Sequence, residues 1–156
     1  MAVPEELALS ARVELGIASL ADVPAFVDRH LATVSRATPA LLALCDLRQR
    51  SPLDIASSLE ALSSVSSDET RAAWLVVATV QACESGTVSI ERAVAYLVRI
   101  VDRLGAHASD VHGLDDTLAL ATDGTFGTRA DALERIRDLG RRVRPAAGWG
   151  RLPMKL

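Results

Sequence analysis

Aromatic side chains are scarce: phenylalanine, tryptophan and tyrosine together make 3% of the 156 residues. A core must therefore be packed from alanine, leucine, valine and isoleucine. That palette suits close helix–helix contact and disfavours a β-sandwich. Lysine is scarcer still. Lys155 is the one lysine, and every other basic residue is arginine, a bias that carries no functional reading. The two cysteines, Cys45 and Cys83, lie in the apolar runs "LLALCDL" and "VVATVQAC". Neither forms a CxxC or a zinc-finger spacing, so both read as small core residues of a reduced, intracellular chain. No apolar run reaches the roughly 18 residues of a membrane span. "MAVPEELALS" carries Glu5 and Glu6 where a signal peptide would be positive. The expectation is a cytoplasmic protein that uses no membrane.

What is present is helical punctuation. Pro4, with Glu5 and Glu6 behind it, suits a first helix to about Ile17. Ser19 and Asp22 form an approximate capping box for a second, beginning near Ala21 or Asp22, with Val23, Phe26, Val27, Leu31 and Val34 on its buried face. Thr38-Pro39 opens "TPALLALCDLRQR", and Ser51-Pro52 opens "SPLDIASSLEALSSV", each with a hydroxyl cap followed by proline at the first helical position. In the latter, Leu53, Ile55, Ala56, Leu59 and Leu62 give the stripe. Ser67 caps a helix from Asp68 to about Glu84 that is apolar almost all round, as a central helix of a bundle would be. Ser89 caps "SIERAVAYLVRIVDRLG", with Ile90, Ala93, Val94, Leu97, Ile100, Val101 and Leu104 inward and Gly105 as its stop. A short helix from Leu114 to Ala121 follows. Thr128 caps the last helix, striped by Leu133, Ile136, Leu139 and Val143 and ended by Pro145. The fold class expected is all-α: a compact bundle or a short solenoid of about eight helices. Loose similarity between "SLADVPAFVDRHL" and "SIERAVAYLVRIVDRL" is what keeps the solenoid open. Residues 1–144 form the single helical domain. Residues 145–156 form a tail, disordered or docked through Trp149 and Leu152.

The stretch most like a site is "HGLDDTLALATDGTFGT", from His112 to Thr128. With His107 and Asp110 just before it, His112 and Asp116 could ligate a divalent metal through imidazole and carboxylate. The spacing is poor, because His107 and His112 straddle what reads as a loop. "DGTFGT" lacks both the acids of an EF-hand and the Gly-Lys-Ser/Thr of a phosphate loop. A C-cap glycine, a turn burying Phe126 and the Thr128 cap account for it, so the segment reads as punctuation between helices. Asp28, Arg29 and His30 read as an exposed helix side and not as part of a nucleophilic site. The carboxylates are scattered, with no paired set on one helix. No cofactor motif is present, and no cofactor is expected.

From Arg129 onward eight basic residues face three acids, leaving +5 there and −8 on the rest of the chain. Arg137, Arg141, Arg144 and Trp149 are the candidate partner-binding residues. A nucleic acid is disfavoured, since neither stacking aromatics nor a helix-turn-helix accompanies the arginines.

The runs "ARVELGIASLADVPAFVDRHL", "LLALCDLRQRSPLDIASSLEAL" and "HGLDDTLALATDGTFGTRADALERI", which span most of Ala11 to Val143, resemble a group of small, uncharacterised, all-helical bacterial proteins. These look like cousins of the immunity proteins that protect bacteria from secreted toxins. The resemblance implies an all-helical fold and a protein partner, and it carries over no catalytic residue. The function expected is therefore a non-catalytic protein-binding module, immunity-like or an adaptor, whose acidic body would suit a basic partner. The alternatives are a small metal-dependent enzyme built on His107 to Asp116, and a nucleic-acid-binding regulator using the last helix. Self-association through Trp149 stays open.

Overall fold

Hydroxyl side chains set where most of the helices begin. The computed structural model describes residues 2–19, 21–48, 50–124 and 127–143. Among them lie eight helices and no strand: α1 (Glu5–Glu14), α2 (Asp22–Leu31), α3 (Pro39–Ala43), α4 (Pro52–Leu62), α5 (Asp68–Glu84), α6 (Ile90–Leu104), α7 (Ala108–Thr122) and α8 (Arg129–Val143). Thr38, Ser51, Ser67 and Ser89 each accept a hydrogen bond from the backbone N–H three residues on. Such a cap is worth about 1 kcal/mol. The Asp54 carboxylate returns the bond to the Ser51 N–H at 3.1 Å, completing a capping box. Thr128 and Asp131 make the same reciprocal pair at the start of α8, at 2.7 and 3.2 Å. At α2 only the acid half forms, with the Ser19 N–H donating to Asp22 at 2.8 Å.

Helix α1 ends at Glu14, three residues short of Ile17, and two helices depart further from their expected spans. α3 stops at Ala43 instead of running on through the arginines. Beyond it, Asp46 accepts a bond from the Arg48 N–H at 3.2 Å, a local turn that competes with helix. α7 begins at Ala108, six residues before Leu114, so His112 and Gly113 are helical and not part of a loop. The corner before it is tight, because Gly105 and His107 both adopt left-handed backbone, at φ 69° and 60°. Glycine tolerates this freely, whereas a histidine there is held by its surroundings. Val111, Leu114 and Leu118 then fall on one buried face.

Helix α5 packs on α6, α6 on α7, α7 on α8, and α8 back on α5. The four close into a ring, which is a bundle and not a solenoid. The core of the ring takes Leu75 and Val76 from α5, Leu97 and Ile100 from α6, and Ile136 and Leu139 from α8. α8 approaches α5 closely at Gly140, where a Cβ would lie 3.0 Å from Val80. A second, smaller apolar cluster gathers Val23, Phe26, Leu41, Leu44 and Leu59. Helix α1 serves both clusters. Leu7, Ala11 and Leu15 face the ring, and Leu9 faces the second cluster.

Among the described residues, three that were expected in the core are exposed. Cys45 is exposed, unlike Cys83. Leu31 and Leu53 are 40% and 51% exposed, each at the edge of its helix's stripe. No helix of the described residues is long and apolar enough to cross a membrane. The expectations for Phe126, Arg144, Pro145, Trp149 and the rest of the tail fall on residues outside those described.

Candidate functional site

Charged groups meet inside the molecule where α1, α4 and α6 converge. Ser10 and Glu14 lie one helical turn apart on α1 and share a face. Glu60 comes from the end of α4, and Tyr96 and Arg103 from α6. Ser10, Glu60 and Tyr96 are buried. The Arg103 guanidinium spans the two acids. It donates to both Glu14 oxygens, at 3.3 and 3.4 Å, and to Glu60 Oε1 at 2.8 Å. Ser10 Oγ donates to the same Glu60 oxygen at 2.9 Å. The two carboxyl side chains are almost wholly covered, while 28% of the Arg103 side chain reaches solvent. An arginine is suited to this position because its planar fork offers several donors and stays charged.

Burial pushes the Glu60 carboxyl above its usual range. Arg103 and the Ser10 bond oppose this, the Glu14 charge adds to it, and Arg71 counters. Burial likewise carries the Tyr96 phenol well above its ordinary value, and the neighbouring Glu14 charge carries it further. The Tyr96 hydroxyl lies beside Glu14 without a well-formed hydrogen bond among the described residues. A buried hydroxyl left so costs about 1–3 kcal/mol. This cluster is thus expensive, and perturbed carboxylates in a concave setting are candidates for function as well as for structure.

The setting is concave. Glu14, Ser51, Pro52, Leu53, Arg99 and Arg103 line a cleft of about 480 Å³ that opens above the buried pair. Its walls are mixed: Pro52 and Leu53 are apolar, and Arg99 and Arg103 are cationic. Arg99 lies over the Tyr96 ring, 5.7 Å from its centroid.

Compared with known proteins, the chain matches no family model, no curated protein and no solved structure.

The residues singled out in the sequence lie elsewhere and apart. Asp110 turns to α8, 2.8 Å from Arg142. His112 faces back to Asp102 on α6, at 3.4 Å. His107 sits at the corner before α7 with a buried Nε2 that has no partner among the described residues. Asp116 is exposed. No group of three or more His, Cys, Asp or Glu among the described residues is placed to hold a metal. On α8, Arg137 pairs with Glu84 and Glu134, and Arg141 with Glu134 and Asp138. Arg135 donates to Thr117. Much of the basic charge of that helix is therefore answered by neighbours. Asp28 and Arg29 are exposed, and His30 stacks on Phe26. Burial pushes the Cys83 thiol up, which disfavours its thiolate form.

The α1–α4–α6 cluster was not visible along the chain. Its acids are on different helices, 46 residues apart in sequence, so no single-helix spacing reveals them. Two weak signals existed: Ser10 and Glu14 adjoin the buried Leu7–Ala11–Leu15 stripe, and Glu60 interrupts an otherwise small and apolar run.

Proposed function

We propose that the chain is a non-catalytic protein-binding module of the bacterial cytoplasm, an adaptor or an immunity-like partner of another protein. The observation that carries the reading is Leu53. It is a large apolar side chain left half in solvent at the wall of a cleft that Arg99 and Arg103 also line. Lone surface leucines are ordinary, but one set in a concavity among charged anchors has the composition of an interface core. Leu42, on the short α3, is exposed as well. The buried Glu14–Arg103–Glu60 group fits this role as a brace, since each acid is held by the arginine and neither is presented singly to solvent. The resemblance to immunity-like proteins points the same way.

The test is affinity capture of the full chain from lysate of its source, read by mass spectrometry with quantitation. One partner at near-equal stoichiometry is expected, and it should be lost on Leu53→Asp. No partner above background would overturn the reading.

A further inference from the structure

The acidic body of the chain favours basic partners at long range, but the cleft has a different local chemistry. Among the described residues six line it, and its charges are unequal in availability. Glu14 and Arg103 already engage one another. Arg99 is exposed and has no ion pair among the described residues. Arg50, exposed just before the cleft-lining Ser51, likewise has none among them. The nearby Asp54 is spent in the capping box with Ser51. The uncommitted charge around the cleft is therefore positive, and it stands against the apolar wall of Pro52 and Leu53.

We infer that this cleft receives a segment of a protein partner in which apolar side chains alternate with carboxylates. The apolar chain covers Leu53 and Pro52, and the carboxylate pairs with the Arg99 guanidinium. The inference rests on the protein-binding reading and names the partner's chemistry. Arg99 is suited to the task because its guanidinium group already lies over the Tyr96 ring, 5.7 Å from the centroid, which limits the freedom lost on pairing. A cleft of about 480 Å³ lies within the size range of pockets that bury a small ligand. The chain's own tail fits poorly, because residues 144–156 carry Arg144, Arg151 and Lys155 and no acidic side chain. A basic segment would meet Arg99 as a like charge.

The experiment uses the full chain and fluorescein-labelled octapeptides, with binding followed by anisotropy. The probes are GSLELESG, GSLKLKSG and GSSESESG. Saturable binding of the leucine–glutamate peptide is expected, weakening as salt rises. The other two should bind at least tenfold more weakly. Arg99→Glu and Leu53→Asp, both at exposed positions, should each weaken the first peptide at least tenfold. Arg99→Lys should weaken it less. Thermal melts confirm that each variant is folded. Equal binding of the glutamate and lysine peptides, binding indifferent to both variants, or no saturable binding at millimolar peptide would each overturn the inference. Dimerisation of the chain abolished by Leu53→Asp would also overturn it, by assigning the cleft to a second copy. A stoichiometric lysate partner that ignores Leu53→Asp and Arg99→Glu would leave the protein-binding reading standing and remove only the cleft from it.

Discussion

Arginine does two kinds of work in this molecule. On α8, Arg141 lies largely in water and Arg137 is half-exposed, and they pair with acids of their own helix and with Glu84 of α5. At the end of α6, Arg103 reaches inward and holds two covered carboxylates on two other helices. The bonds are of similar length, but their consequences differ. An exposed pair exchanges water for a partner at little net gain. A covered pair has already lost its water, so removing one member strands the other in a poor solvent. Position, more than the number of ion pairs, decides which arginines matter.

The contrast can be broken most forcefully at Arg103. Arg103→Met should cost about 3 kcal/mol, because it leaves Glu14 and Glu60 covered and uncompensated. In a chain of this size that is a fall in Tm of roughly 6–12 °C. Adding Glu60→Gln should recover much of the loss, and a double-mutant cycle by thermal melting measures the coupling. Gly140→Ala comes next. The new methyl would press on Val80 at 3.0 Å, and the packing cost should outweigh the better helix propensity by about 1 kcal/mol.

A third prediction sharpens the contrast through pH. Glu60 has a folded-state pKa above its unfolded one, so the folded protein binds that proton more tightly. Its contribution is most favourable below the ordinary glutamate value. It declines as pH rises from there through the raised folded value, and is least favourable above it. The capping acids Asp22 and Asp54 run oppositely. Their serine hydrogen bonds hold their pKa values down, and their contribution is lost as pH falls. Tm measured against pH for the wild type minus that for Glu60→Gln should therefore slope downward with rising pH in mildly acidic buffer. A flat or rising difference would contradict the burial of that charge. The smallest effect is expected on α8, where Arg141→Ala should leave Tm unchanged within error.

Much of the fold could be read locally. Hydroxyl-then-proline starts, the Ser67 and Ser89 caps and the Gly105 stop are decided within a few residues. The continuous apolar surface of α5 foretold its central place. The early start of α7 was hidden because His112 and Gly113 look like loop residues, although Val111, Leu114 and Leu118 already marked the helix. The exposure of Leu53 was hidden for a related reason: an apolar residue on a stripe reads as core unless the neighbouring helix is known to fall short of it. The buried charges were hardest to see. Nothing within ten residues of Glu60 indicates that Arg103 will cover it, because that partnership exists only once α4 and α6 have met.

That same partnership has a consequence for the making of the protein. Glu14 leaves the ribosome 89 residues ahead of Arg103. At ordinary rates of synthesis the interval is roughly 4–18 s. Through that time the α1 stripe of Leu7, Ala11 and Leu15 has no completed ring to lie on, and its acid has no cation of α6 to meet. The helix that joins the two apolar clusters can therefore settle on α4 early, through Leu9, while its ring-facing stripe and its acid stay open until α6 has been made.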